Sequence, residues 1–275
     1  MKPTEPKPIL QTVQTGGSGT GISYWRELAL GCARRAQLRQ EEDEQQNRHL
    51  SGSLGTGTIL HALMAAYYSG KATSVVKIGF TEGTTYDEEA RIEAERLFSA
   101  YRVEHKPDEF GEVIGVEVDI SESPAVEVAV GIAPFTARLD LVVKMDAATC
   151  RRLSYLGQLQ PGIYIVDHKT TAYMTAASYE RYARDLQFIA YQVAYNAMCS
   201  PSTCNGLIVN ILTKTKTVKV ERILVPPPTT VDRAILAVVT NQARQKRTSN
   251  APNPDRCFDY NSVCPFLTNG RCFRH

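Results

Sequence analysis

The run Gly162-Ile163-Tyr164-Ile165-Val166-Asp167-His168-Lys169-Thr170-Thr171 reads as a strand, because β-branched and aromatic residues alternate along it at period two. In a strand, side chains two apart share a face. Asp167 and Lys169 therefore project together, while Val166 and His168 turn to the other side. A carboxylate beside an ammonium on so apolar a strand is costly unless it has a task or a partner. Upstream, Thr136-Ala137-Arg138-Leu139-Asp140-Leu141-Val142-Val143 sets a second acid inside an apolar strand, with Arg138 on the same face as Asp140. Pairing the two strands brings Asp140 beside Asp167. Two carboxylates are what a hard cation such as Mg²⁺ asks for, with waters and a phosphate completing its octahedron. A lysine on that face can orient or deprotonate an attacking water and stabilise a pentavalent phosphorus, which amounts to metal-assisted phosphodiester hydrolysis. Each residue taken singly reads equally as an edge-strand ion pair.

Around these strands the periodicity changes. A helix starts near Ser23 and carries Trp25, Leu28, Leu30 and Cys32. A Gly-rich stretch, SGSLGTGT, precedes a helical run ILHALMAAYYSG, with Thr58 as N-cap and Gly70 as stop. Residues 86–102 form an amphipathic helix with Ile92, Leu97 and Phe98 inward. GEVIGVEVDI, AVEVAVGI, PFTARLDLVVKM and GIYIVDHKTT alternate and read as strands of one sheet, mostly hairpin-linked. Residues 178–199 return to helix, with Leu186, Ile189, Ala190 and Val193 on one side. GLIVNILT and KTVKVERILV make a hairpin, and the segment after PPP is a last helix. Helices, a mostly antiparallel or mixed sheet, then helix, hairpin and helix make one α/β unit. Residues 1–20 are Pro- and Gly-rich and read as a flexible tail; residues 21–275 form the single domain, including a cysteine-rich tail over 248–275.

Composition excludes several classes. The 275 residues are 43% hydrophobic and 22% charged, a globular mix that rules out a disordered, collagen-like or coiled-coil chain. No apolar run approaches the roughly 18–20 residues that cross a bilayer, and the N-terminus lacks the pattern of a signal peptide. Net charge is +2, but it is lopsided: the acidic excess lies mostly in 82–122 and the basic excess includes KTKTVKVER and RQKR. Such a field suits a polyanion on one face, or simply a solvated surface. Seven cysteines is an odd number for a disulfide framework, and a reducing, cytoplasmic setting is expected. Cys150, Cys199 and Cys204 read as incidental. Cys257, Cys264 and Cys272 lie in the aperiodic tail, without the tight pairs of a zinc ribbon or the Cys-x-x-Cys of a redox protein.

The ordered set His61, Asp140, Asp167-x-Lys169 and Gln187-x-x-x-Tyr191 resembles the PD-(D/E)XK nuclease superfamily, and within it the RecB-like exonuclease branch. The resemblance spans about residues 21–275 and implies a restriction-endonuclease-like α/β fold. It implies that Asp140 and Asp167 ligate Mg²⁺ or Mn²⁺, with the backbone carbonyl of His168, the imidazole of His61 and Glu117 as further ligands. Lys169 would activate water or stabilise charge, and Gln187 and Tyr191 would brace it and touch DNA. Arg138, Arg181 and Arg184 are candidates for backbone phosphates. One early and three late cysteines, Cys32 with Cys257, Cys264 and Cys272, resemble the 4Fe–4S clamp of AddB-type and CRISPR-associated nucleases, with zinc as an alternative. The expected activity is a DNA exonuclease in recombination, repair or phage DNA processing, working on single strands or ends, with a helicase or recombination protein as a possible partner and no membrane. The alternative is a nuclease-like module that binds DNA or a partner without cleaving.

Overall fold

The computed structural model describes residues 12–13, 22–44, 49–50, 52–70, 79–80, 85–120, 123–200, 202–247, 253, 264 and 272. Its centre is a five-stranded sheet in chain order: β1 (Glu112–Asp119), β2 (Arg138–Met145), β3 (Gly162–Thr171), β4 (Cys204–Thr213) and β5 (Val220–Val225). β1–β2, β2–β3 and β4–β5 pair antiparallel, and β3–β4 pair parallel. The sheet is therefore mixed. Nine helices are described: α1 (Ile22–Leu30), α2 (Ala33–Glu44), α3 (Gly52–Tyr68), α4 (Glu88–Glu104), α5 (Pro124–Val130), α6 (Ala147–Arg152), α7 (Ala176–Ala183), α8 (Leu186–Met198) and α9 (Thr230–Lys246). Of residues 1–20 only Thr12–Val13 is described, paired in parallel with Gly79–Phe80. Among the described residues no helix is long and apolar enough to cross a membrane.

Two apolar layers sandwich the sheet. On one face Ile165, Leu207, Val209 and Ile211 pack against Trp25 and Leu28 of α1, Val126 of α5, Phe188 of α8 and Val239 of α9. On the other, Val143, Val166, Ile208 and Leu212 pack against Ile59 and Met64 of α3 and Leu97 and Phe98 of α4. Covered on both sides, β4 is apolar nearly throughout rather than alternating. The crossover between parallel strands β3 and β4 runs through α7 and α8, as parallel pairing requires.

Four elements depart from the sequence expectation. AVEVAVGI, read as a strand, is the helix α5. Ser123 precedes it, Pro124 opens it and Gly131, at φ 80°, ends it in the left-handed conformation. Val126 and Val130 face the core one turn apart while Val128 is exposed. Terminal Pro and Gly thus outweigh the apparent alternation. The Gly-rich segment before Thr58 is already helical, so Thr58 is no N-cap; its hydroxyl donates back to the Leu54 carbonyl at 3.0 Å. Gly57 sits over Thr170 of β3 at ordinary contact distance. Ile92 is 54% exposed, and the inward stripe of α4 is Ala90, Ala94, Leu97, Phe98 and Tyr101. The helix expected over 178–199 is two helices, because Asp185 accepts the Gln187 amide at 2.9 Å and starts α8 afresh.

Gly111 turns the chain into β1 at φ +95°, and a Cβ there would lie 2.5 Å from the Lys144 carbonyl oxygen. Gly111→Ala is expected to cost roughly 2–3 kcal/mol, read as a lower midpoint in denaturant unfolding. A loss under about 0.5 kcal/mol would contradict this packing of the turn.

Candidate active site

The ladder between β2 and β3 ends at the pair Leu141–Val166, and beyond it the strands part. The backbone N–H of His168 thereby loses a strand partner, and Asp140 supplies one: its Oδ2 accepts that N–H at 2.7 Å. The other oxygen, Oδ1, lies 3.2 Å from Nδ1 of His61, delivered by α3. On β3, Lys169 Nζ is 2.6 Å from Oδ2 of Asp167. The contact is a close ion pair in which the ammonium donates to the carboxylate. Lys169 also stands over the Phe188 ring, 5.7 Å from its centroid. On α8, Gln187 donates through Nε2 to the Tyr191 hydroxyl at 2.6 Å.

Glu117 lies between the β1–β2 pairs Val116–Leu141 and Val118–Leu139, across from Asp140. It has φ 51°, a left-handed conformation that costs a side-chain-bearing residue roughly 1–2 kcal/mol. Strain of this kind persists where the surroundings over-determine it, commonly at functional sites. Arg138 approaches Glu117 Oε2 at 3.6 Å through NH1.

The electrostatics bind these groups together. Burial opposes charge on Asp140, but the His61 ring and the Lys169 ammonium outweigh it and hold the carboxyl well below the usual range. Burial and the Asp140 charge push Asp167 up to about 6 against the pull of Lys169. Burial and Asp140 likewise push Glu117 up to about 7. Burial would lower Lys169, yet Asp167 and Asp140 raise it, so it stays an ammonium. Burial, with Asp167 nearby, pushes the Tyr191 phenol to about 12.

A pH dependence follows. A carboxyl that holds its proton more tightly folded than unfolded stabilises the fold below its ordinary value, and loses that contribution as pH rises through the folded value. For Glu117 the window runs from 4.5 to about 7. After discounting for its 29% side-chain exposure, this group is expected to cost about 2 kcal/mol across the window. Asp167 adds the same sign between 3.8 and about 6. Glu109, lowered to about 2, acts only on the acid side. Glu117→Gln should flatten the slope in urea unfolding series without added metal; an unaltered slope would remove Glu117 as its source.

The expected residues are thus distributed unevenly. His61, Glu117, Asp140, Asp167 and Lys169 share one electrostatic cluster, with Arg138, Gln187 and Tyr191 at its border. The His168 ring points to the face opposite Asp167 and Lys169, stacked on Tyr68 at 5.6 Å and 19° and edge-on to the His61 ring at 6.5 Å, while its backbone N–H meets Asp140. Arg138 faces Glu117 rather than Asp140. Arg181 is exposed with its guanidinium over Tyr182, and Arg184 is exposed at the end of α7. Neither takes part in the cluster's bonds among the described residues. Phe188, beneath Lys169, was not anticipated; its place one residue after Gln187 was the available signal.

Among the described residues no three His, Cys, Asp or Glu side chains converge as a ready metal-ligand group. Asp140 is occupied by His61 and the His168 amide, and Asp167 by Lys169. The donor chemistry nevertheless fits a hard divalent cation. Asp140 and Asp167 are buried carboxyl groups, and the charge on Asp140 repels both Asp167 and Glu117. Cys264 and Cys272 are buried against Leu38, and Cys32 Sγ accepts the Asn253 amide at 3.3 Å. Asn253, Cys264 and Cys272 therefore meet α1, α2 and the turn between them; among the described residues Cys32, Cys264 and Cys272 form no ligand group, and Cys257 lies outside the described residues.

A model of the PD-(D/E)XK nuclease superfamily matches residues 26–268. Among solved structures, one from Eubacterium rectale, provisionally assigned as an exonuclease, is 12% identical over 87% of this chain and 85% of that chain, with a TM-score of 0.48. No curated protein matches the chain. Since the matched stretch takes in every member of the cluster, from His61 on α3 to Tyr191 on α8, the chain belongs to the PD-(D/E)XK nuclease superfamily.

Proposed function

We propose that this chain is a metal-dependent deoxyribonuclease that degrades DNA from ends or single strands. The observation that carries the reading is the fork between β2 and β3, beside which Asp140, Asp167 and Lys169 lie near enough to shift one another's charge. Asp140 and Asp167 would hold Mg²⁺ or Mn²⁺, with His61, Glu117 and the His168 carbonyl as candidates to complete the shell. A divalent ion there supplies a Lewis acid and lowers the pKa of water. Lys169, kept cationic by two carboxylates, suits orientation of the nucleophile and stabilisation of charge on phosphorus better than proton abstraction. Gln187 and Tyr191 limit the movement of Lys169 from α8, and Tyr191 stays a neutral hydrogen-bond donor. Arg138, Arg181 and Arg184 are candidate phosphate contacts. Work in repair, recombination or phage DNA processing, with a helicase to open duplexes, is compatible with this chemistry. A metal clamp on Cys32, Cys257, Cys264 and Cys272 is not needed for it, and iron and zinc analysis of purified protein would reveal one.

The test uses end-labelled linear and closed circular DNA with Mg²⁺ or Mn²⁺. Linear DNA should be degraded from its ends, EDTA should stop the reaction, and circles should resist. DNA affinity should fall steeply with salt. No cleavage of any DNA with either ion would overturn the proposal; cleavage of circles would replace an exonuclease with an endonuclease.

A further inference from the structure

The face of the sheet covered by α3 and α4, opposite Asp167 and Lys169, is apolar except along one line that starts 6.5 Å from the His61 ring. His168 on β3 pairs in register with Asn210 on β4, and Asn210 with Arg222 on β5. Their side chains bond in the same order. Arg222 Nε donates to Asn210 Oδ1 at 2.9 Å, and Asn210 Nδ2 donates to His168 Nδ1 at 3.0 Å. Arg222 NH2 continues to Glu109 Oε2 at 2.6 Å, and Glu109 Oε1 accepts from Tyr68 at 3.0 Å and from Tyr101. His168 and Asn210 are buried, and the Arg222 side chain is 6% exposed. Around the row lie Val166, Ile208 and Leu212.

The direction of the row is fixed by chemistry. Arginine can only donate, so Asn210 turns its carbonyl to Arg222 and its amide to His168. His168 Nδ1 must then accept, which places the ring proton on Nε2. Stability alone does not call for this arrangement, because apolar replacement of a buried ion pair is often neutral or stabilising. What the row supplies is register. A one-residue slip of a strand reverses the face of every side chain on it. For β3 a slip would face His168 with an apolar residue of β4 and carry Asp167 and Lys169 away from Asp140.

Resting on the nuclease reading above, we propose that Glu109, Arg222 and Asn210 are positioning residues. Through the His168 ring they lock the pleat of β3, so that the His168 N–H meets Asp140 while, of the two flanking side chains, Asp167 faces the metal site and Lys169 the scissile phosphate.

The test uses the full chain with Asn210→Leu and, separately, with Glu109→Leu/Arg222→Met. The double replacement leaves no lone buried charge and keeps a folded protein if the single variant fails to fold. Amide hydrogen exchange at His168 is expected to rise at least 10-fold while Val143, in the β1–β2 ladder, stays within 3-fold. On linear DNA with Mg²⁺, kcat should fall at least 10-fold with KM within 3-fold. A folded variant with parental kcat overturns the proposal, as does a rise in exchange shared equally by His168 and Val143. If the parent protein cleaves no DNA, the nuclease reading fails by itself and exchange alone decides: a local rise at His168 upholds the positioning role, and unchanged protection there overturns it.

Discussion

Lys169→Ala is expected to lower kcat by about 10²–10³-fold, the usual loss on removing one preorganised charge from a transition state, while the chain stays folded and binds DNA. Folding survives because the vacated partner is a carboxyl that burial and Asp140 already push to about 6. Without the ammonium it takes up a proton rather than remaining a lone buried anion. Cleavage of linear DNA under saturating substrate, read beside a thermal melt, checks both halves. A tenfold increase in Mg²⁺ should not restore the rate, since the missing charge sits on phosphorus rather than on the ion. A folded Lys169→Ala protein with parental kcat would contradict the assigned role.

Arg222→Ala should produce the largest loss of stability, about 3–5 kcal/mol. The guanidinium neutralises Glu109, holds Asn210, donates to the Tyr155 hydroxyl at 3.1 Å and lies 4.6 Å from the Phe110 ring centroid. Its removal leaves the Glu109 carboxylate, which against burial His105 and Arg222 together lower to about 2, beside buried tyrosines with His105 as its only remaining ion-pair partner among the described residues. Against a typical total of about 5–15 kcal/mol, such a loss leaves a marginal fold. Guanidinium unfolding at neutral pH measures it, and a cost under about 1 kcal/mol would show that water reaches Glu109. Replacing both partners by apolar residues should recover most of the loss, which separates the stranded charge from lost packing.

The chemistry of β3 was legible because period-two alternation fixes which side chains share a face. Asp167 with Lys169, and His168 opposed to them, follow from spacing alone and are found so. Gln187 and Tyr191 were legible for the matching reason on a helix. AVEVAVGI was misread because four apolar residues at alternate places also fit a short helix with Val126 and Val130 inward; Pro124 and Gly131 were the better guides. Ile92 was misplaced because the polar face of α4 contains an apolar residue, and its neighbours Ala90 and Ala94 are small enough to be overlooked as core.

Local order in the chain therefore determined most strands, most helices and which candidate side chains share a face, since side-chain periodicity needs only the backbone geometry of one element. Tertiary structure decided the rest. It set the parting of β2 from β3 that lets Asp140 cap His168, the left-handed turn at Glu117, and the row from Glu109 to His168. Those features join residues up to 113 positions apart. No local period encodes such partners, because each polar group finds its bond only after the sheet has closed around it.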